Sequence, residues 1–145
     1  MISGLRQTAR DLFDVAVRAA DPALALRDSL QRAPFPKGRP IIIALGKAAV
    51  PMLREAFTHL PDANAILITN AENKTEMTGV QTFIAGHPIP DEAGELAGKA
   101  VMAALDNATD QDCIIALISG GGSAMLPAPV AGVTLTEKMQ VSKLL

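Results

Sequence analysis

The sequence predicts an α/β fold of Rossmann-like type, in which a mainly parallel sheet carries helices on its faces. Apolar runs such as residues 40–45 and 113–118 are continuous rather than alternating, which is typical of strands buried on both sides. Segments with apolar residues at helical spacing separate these runs, so the chain follows a strand–helix–strand rhythm. With 145 residues, 49% hydrophobic and 19% charged, the chain is long and apolar enough for one well-buried domain.

Two helices are expected before the first strand. Apolar residues recur at helical spacing over residues 3–20, with arginines and aspartates on the opposite face. Asp21 and Pro22 then form an N-cap and a first helical position, which predicts a second helix ending near Arg32. A break rich in proline and glycine follows over residues 34–38.

Four strands and two further helices complete the predicted core. The strands are expected near 40–45, 65–69, 80–85 and 112–118, and the helices near 48–60 and 91–107. The connection over residues 70–79 is barely long enough for a parallel crossover. The direction of the third strand is therefore left open, as parallel, antiparallel or at a sheet edge.

Composition excludes several classes of partner. The net charge is −2 without a basic cluster, and there is neither Trp nor Tyr, so nucleic acid is not an expected partner. Cys113 lies within an apolar run, where a small buried side chain is its expected role, and one cysteine suits a reducing cytoplasm. No apolar stretch approaches the ~20 residues of a membrane span, and charged residues interrupt the N-terminal segment where a signal peptide would need an apolar core.

The last predicted helix begins with a capping box formed by Thr134 and Glu137. It ends on Leu144 and Leu145, which need a surface to cover them. We therefore interpret residues 1–145 as an incomplete N-terminal domain of a longer protein whose C-terminal domain is absent. A natural C-terminal helix docked on its own domain is the alternative.

The strongest functional signal is the turn from Ser119 to Ser123, in which Gly120, Gly121 and Gly122 follow a buried strand. Glycines allow positive φ and close approach of the backbone to a ligand. Such a turn can direct several amide N–H groups at one phosphate or carboxylate. The sequence therefore predicts an anion site here, against the alternative of a tight connection without a ligand.

A second candidate is Gly46-Lys47, directly after the first strand. A cation near a helix N-terminus is poorly placed unless it meets a bound anion, because the helix dipole favours negative charge there. The surrounding residues match neither the phosphate-binding Walker loop nor, around Gly120, the glycine spacing of the dinucleotide fingerprint. The anion hypothesis therefore depends on chemistry rather than on a known spacing.

The turn containing His87 and Asp91 is the third candidate. Asp91 is a good N-cap for the following helix, and His87 could bind a substrate hydroxyl or act as acid or base. A triad of Ser123, His87 and Asp91 stays open on composition, although Ser123 is not in a nucleophile elbow. The two histidines have no partners at metal-ligand spacing. Since ligands bind at the carboxyl ends of parallel strands, we expect the three turns to form one site.

Together these motifs resemble the glycerate 2-kinase family, also called the MOFRL-type glycerate kinases, many of which carry the older label hydroxypyruvate reductase from tartrate degradation. The resemblance covers the chain in order and is carried by Ala44–Ala49 (ALGKAA), Gly86–Gly94 (GHPIPDEAG), Ile118–Pro129 (ISGGGSAMLPAP) and Gly132–Lys138 (GVTLTEK). Members are much longer, with a Rossmann-like N-terminal domain, a smaller C-terminal domain and the active site between them.

The resemblance implies ATP-dependent phosphorylation of D-glycerate at its 2-hydroxyl, with Mg²⁺. Lys47 matches the family's active-site lysine, and Ser119–Ser123 matches its glycine-rich loop. Whether that loop holds ATP phosphate or the glycerate carboxylate is open. The implied partners are glycerate and a nucleotide in the cytoplasm, with no membrane, and a homo-oligomer stays open. The alternatives are an NAD(P)H-dependent hydroxypyruvate reductase and a non-catalytic α/β binding domain.

Overall fold

The computed structural model describes the backbone of residues 2–144 and the side chains of residues 4–144. Leu145, part of the predicted leucine pair at the helix end, lies outside the described residues. The described chain divides into two compact units, one ending at Pro34 and one beginning at Phe35.

The first unit is a pair of helices, α1 (Ile2–Ala19) and α2 (Pro22–Arg32). Asp21 caps α2 as predicted, because its carboxylate accepts hydrogen bonds from the amides of Ala23 and Leu24 at 2.9 and 3.0 Å. Both predicted helices are confirmed, with α2 beginning and ending where the pattern placed it.

The second unit contains the sheet. Its elements are β1 (Arg39–Leu45), α3 (Ala49–His59), β2 (Asn64–Thr69), a single 3₁₀ turn (Ala71–Asn73), β3 (Val80–Ile84), α4 (Glu92–Asp106), β4 (Asp112–Ile118), α5 (Gly122–Met125) and α6 (Leu135–Leu144). Each predicted strand is present to within one residue at either end. The two elements that the sequence did not predict, the 3₁₀ turn and α5, are both shorter than the window in which periodicity can be seen.

The four strands are all parallel and lie in the order β3-β2-β1-β4. The α/β fold with a parallel sheet is thereby confirmed. The open question about the third strand is also answered, since β3 pairs parallel with β2 at an edge of the sheet. Among the described residues, no helix combines the length and apolar character that crossing a membrane requires.

Helices cover the sheet from both faces, which explains why β1 and β2 are continuous apolar runs. Ile43 and Ile68 pack with Ala97 and Val101 of α4 on one face. On the other face α3 contacts the same strands and buries Leu53 completely. Both faces of these strands are therefore removed from water, as the sequence pattern predicted.

The edge strand β4 is buried on one face only, so the burial on both sides that its apolar run predicted is wrong for this strand, which within residues 2–144 has a neighbouring strand only in β1. Cys113, Ile115 and Leu117 are buried, whereas Ile114 and Ile118 on the other face are 40% and 66% exposed. The expectation that Cys113 is a small core side chain is confirmed. Its position in the buried alternation of β4 is sufficient to explain the residue.

Candidate functional site

The site lies where the strand order of the sheet reverses. β1 has β2 on one side and β4 on the other, and the chain leaves β1 toward β2 but reaches β4 only later. In doubly wound sheets, ligands bind in the crevice outside the carboxyl ends of the two strands at such a point. The Gly46-Lys47 turn and the Ser119–Ser123 turn are the segments that follow those two strand ends.

Backbone and hydroxyl hydrogen bonds join these two turns. The amide of Lys47 donates to the carbonyl of Gly120 at 2.9 Å. The hydroxyl of Ser119 accepts from the amide of Ala48 at 3.0 Å and donates to the carbonyl of Leu45 at 3.1 Å. Ser119 thus holds the two strand ends together, and its hydroxyl is already engaged on both sides.

Gly46 is the residue that makes this close approach sterically feasible. Its φ is +113°, a conformation that side chains disfavour. A β-carbon there would also collide with both the hydroxyl and the carbonyl of Ser119. The glycine is therefore required by the junction between the turns, whatever the ligand is.

The glycine turn presents a run of unused backbone donors. Gly121 has φ +91°, and its carbonyl accepts from the amides of Ala124 and Met125 at 3.2 and 3.3 Å. In contrast, the amides of Gly120, Gly121, Gly122 and Ser123 donate to no acceptor within residues 2–144. Consecutive free amides at a strand end form the kind of concavity that binds an anion.

Lys47 lies at the rim of the same crevice. Its side chain is exposed, and no carboxylate of a described residue lies within ion-pair distance of its ammonium group. The following helix, α3, begins at Ala49 without a side-chain cap. The positive charge and the free amides of the glycine turn therefore lie at adjacent strand ends.

The His87 turn meets the glycine turn. A β-carbon on Gly121 would lie 2.9 Å from Cδ2 and 3.2 Å from Nε2 of His87, so the imidazole packs directly on the glycine. His87 is half-buried and precedes a cis peptide bond to Pro88. The structure thus brings together all three turns that the sequence singled out.

Asp91 occupies a structural position within this turn. It caps α4, with Oδ1 accepting from the amide of Gly94 at 2.9 Å. No hydrogen bond among described residues links Asp91 to His87 or His87 to Ser123. The triad that composition left open is therefore not assembled here.

Sequence reasoning missed polar residues at the end of β2. The hydroxyl of Thr69, fully buried, donates to the carbonyl of Gly46 at 3.1 Å. Asn70, only 6% exposed, donates to Glu72 and accepts from Asn73 at 2.6 Å. One signal in the sequence could have found them. Polar residues directly follow the apolar run of β2, just as they follow those of β1 and β4.

A cavity of about 490 Å³ adjoins the glycine turn. Ser123 and Pro88 line it from the two turns, and Lys138 and Ser142 line it from α6. The capping box of α6 is formed as predicted, with the amide of Thr134 donating to Glu137 at 2.7 Å. That hydrogen bond and a second one from the Thr134 hydroxyl lower the pKa of the Glu137 carboxyl. No group of three potential metal-ligating side chains occurs within the described part of the chain.

Several known proteins are similar in sequence to this chain. The chain is 34% identical over 142 residues to "Putative hydroxypyruvate reductase" from Agrobacterium vitis, covering 97% of this chain and 32% of that protein. It is 33% identical to "Glycerate 2-kinase" from Pyrococcus horikoshii, covering 97% of this chain and 34% of that protein. The chain thus spans about a third of the length of the relatives it matches.

A solved structure shares the fold. The crystal structure of glycerate kinase from Thermotoga maritima superposes with a TM-score of 0.84 at 28% identity, over 98% of this chain and 34% of that one. The model of the family described as a domain of unknown function, DUF4147, matches residues 8–145. The chain therefore belongs to the DUF4147 family, and the proteins to which it is similar include ones named as glycerate kinases.

Proposed function

We propose that this chain is the N-terminal part of an ATP-dependent kinase that phosphorylates D-glycerate at the 2-hydroxyl. One observation carries the proposal: four consecutive backbone amides without an acceptor among the described residues lie beside the exposed Lys47 where the strand order reverses. The names of the relatives, glycerate 2-kinase among them, supply the substrate.

The arrangement suits phosphoryl transfer. That reaction needs little covalent help from the protein and depends on positioned cations and amides around the transferring group. The amides of Gly120–Ser123 would hold one anionic group of the reactants, and Lys47 would neutralise charge that develops on the transferring phosphate. The 2-hydroxyl of glycerate would attack that phosphate, and the nucleoside diphosphate would leave.

His87 is the group best placed to act on the attacking hydroxyl. Its ring packs against Gly121 within the glycine turn, and a neutral imidazole can accept a hydroxyl proton near neutral pH. Asp91 has a carboxylate oxygen left after capping α4, but it is a single carboxylate. Mg²⁺ in such sites is held by substrate phosphates with one or two carboxylates, so it would enter here with ATP, next to Asp91.

The reductase alternative comes from the name of the Agrobacterium relative. In dinucleotide-binding folds the pyrophosphate lies on the turn after the first strand of the unit. Here the amides of Lys47 and Ala48 in that turn are already used by Gly120 and Ser119. The run of free donors follows β4 instead, which favours the kinase over the reductase.

The proposal is tested on the longer protein that carries this chain. ATP consumption coupled to D-glycerate should be measured beside NADH oxidation with hydroxypyruvate. We expect the first activity and not the second, and the reverse result would overturn the kinase assignment. For residues 1–145 alone we expect weak nucleotide binding and no phosphorylation, because they span a third of the relatives' length. Glycerate phosphorylation by these residues alone would contradict the two-domain interpretation.

A further inference from the structure

A polar cluster lies at the carboxyl end of β2, beside the β1 turn. We define the β2 cluster as Asn70, Glu72 and Asn73. The Nδ2 group of Asn70 donates to the carboxylate of Glu72, and Nδ2 of Asn73 donates to Oδ1 of Asn70. Among the described residues, these side chains hydrogen-bond to neither Lys47 nor the glycine turn, although they lie at the same edge of the sheet.

A buried residue, Asn70, holds the β2 cluster in place. Asn70 is 6% exposed, whereas Glu72 and Asn73 are exposed. The preceding Thr69 is tied to the carbonyl of Gly46 through its hydroxyl at 3.1 Å. A buried amide therefore holds an exposed carboxylate in one orientation, and Oε1 of Glu72 accepts no hydrogen bond from a described residue. A carboxylate presented in this way can accept hydrogen bonds from two neighbouring hydroxyl groups.

The position of the cluster in the fold indicates which hydroxyls these are. In dinucleotide-binding folds of this type, an acidic residue about 20 residues beyond the glycine-rich first turn binds the 2′-hydroxyl of a ribose. Glu72 follows Gly46 by 26 positions and lies in the turn after β2, the strand next to β1, although the first turn here lacks the glycine spacing of that fingerprint. The glycine turn lies on the other side of β1.

We propose that Glu72 binds the vicinal hydroxyls of a ribose, and that the attached phosphates cross the end of β1, past Lys47, to the glycine turn. The inference rests on the proposed function and extends it by assigning the glycine turn to phosphate and selecting ribonucleotides over deoxyribonucleotides. From β2 across β1 to β4 are two interstrand spacings, about 10 Å in all. A triphosphate chain attached to a ribose reaches over such a span.

The test is binding of ATP and of 2′-deoxy-ATP to the longer protein by calorimetry. The loss of one hydrogen bond to a charged group should weaken binding of the deoxynucleotide roughly tenfold in the wild type. In Glu72→Ala the ratio of the two dissociation constants should fall to about one, and in Glu72→Gln it should fall to an intermediate value, because the amide keeps a neutral hydrogen bond. Glu76→Gln is the matched control, because Glu76 is an exposed acid in the same connection outside the cluster.

The outcomes separate this inference from the proposed function. A ratio that stays unchanged in both Glu72 variants, with ATP-dependent glycerate phosphorylation intact, overturns the ribose site and leaves the kinase standing. A ratio that falls equally in Glu76→Gln also overturns it, since the effect would then be general loss of negative charge. Because NADH carries the same adenosine ribose, NADH binding that weakens in Glu72→Gln while ATP does not bind supports the ribose site and overturns the kinase. Thermal melting of each variant confirms that the fold is retained.

Discussion

The two ends of the β1–β4 strand pair are held together by different chemistry. At the amino end, Arg39 and Asp112 form an ion pair at 2.9 Å, and Asp112 also accepts the amide and the hydroxyl of Thr109, both at 2.8 Å. At the carboxyl end, the junction is made by neutral groups, the hydroxyl of Ser119 and the backbone of Lys47.

The two ends differ in which charged groups and hydrogen-bond donors remain available to a ligand. At the amino end the charges of Arg39 and Asp112 neutralise one another, so that end is satisfied by its own residues. At the carboxyl end the strands are joined without using Lys47's ammonium group or the amides of Gly120–Ser123, as far as the described residues show. One end of the same strand pair is thus built for stability, and the other keeps donors available for a ligand.

The largest expected effect comes from removing the charge at the carboxyl end. In the longer protein, Lys47→Ala should lower turnover by about two to three orders of magnitude, because a positioned donor to developing charge is lost. The melting temperature should stay close to that of the wild type, since Lys47 is exposed and makes no ion pair with a described residue.

Arg39→Ala is the matched control for this prediction. It removes a cation from the opposite end of the same strand and should leave turnover near the wild-type value while lowering stability. Wild-type turnover in Lys47→Ala, or an equal loss in Arg39→Ala, would contradict the assignment of function to the carboxyl end.

Two glycine substitutions distinguish the role of the glycine turn in ligand binding from the role of Gly46 in the junction between the turns. A β-carbon on Gly120 would meet no heavy atom within 4 Å, and the φ of this residue is not positive. Gly120→Val should therefore preserve the fold and weaken ATP binding about tenfold or more, because the side chain fills the space that the ligand needs. Gly46→Ala should instead lower the melting temperature, because its β-carbon strikes Ser119 at φ +113°.

Calorimetric titration and thermal melting of both variants check the pair. We expect ATP binding to weaken in Gly120→Val and the melting temperature to fall in Gly46→Ala. Gly121 is unsuitable for this purpose: a side chain there would strike Met125 and His87 as well as adopt a strained φ of +91°. Unchanged affinity for both ATP and D-glycerate in Gly120→Val would show that the glycine turn is only structural.

β1 and β2 were predictable because burial on both faces produces a continuous apolar run in the sequence. β1 shows this directly, and the caps at Asp21, Asp91 and Thr134 were recognisable because a capping side chain acts within three residues of its own position. These are local signals, and the structure follows them to within about one residue.

The rest of the site depends on contacts between distant residues. Ser119 and Ala48 are 71 positions apart, and nothing in either segment reveals which hydroxyl takes which amide. The role of Thr69 was missed for the same reason, since its hydroxyl bonds to the carbonyl of Gly46, 23 positions earlier in the chain. The direction of β3 likewise became evident only from its pairing with β2.

A smaller effect is expected from Ser119→Ala. The substitution removes two hydrogen bonds and leaves the amide of Ala48 without its acceptor, which should cost about 1 kcal/mol in the free energy of unfolding. Urea denaturation measures this, with Ser123→Ala as control because its exposed hydroxyl makes no hydrogen bond to a described residue. Equal stability of both variants would show that the Ser119 junction is not needed to hold the strands.

The smallest effect is expected at the amino end, in the acid range. Hydrogen bonds from the Thr109 amide and hydroxyl, and then the bond and charge of Arg39, lower the pKa of the Asp112 carboxyl below its ordinary value. Because the folded pKa is lower than the unfolded one, the stabilisation is complete above the unfolded value and is lost as pH falls toward the folded one. Asp112→Asn should therefore be less stable than the wild type near neutral pH. Its free energy of unfolding should also fall less than that of the wild type as the pH drops from about 5 to the acid limit.

Glu137→Gln is the necessary comparison, because Thr134 also lowers the pKa of the Glu137 carboxyl, which adds its own dependence of stability on pH. If Asp112→Asn kept the wild-type acid dependence while Glu137→Gln lost it, the amino end would not be the charge-stabilised end of the strand pair.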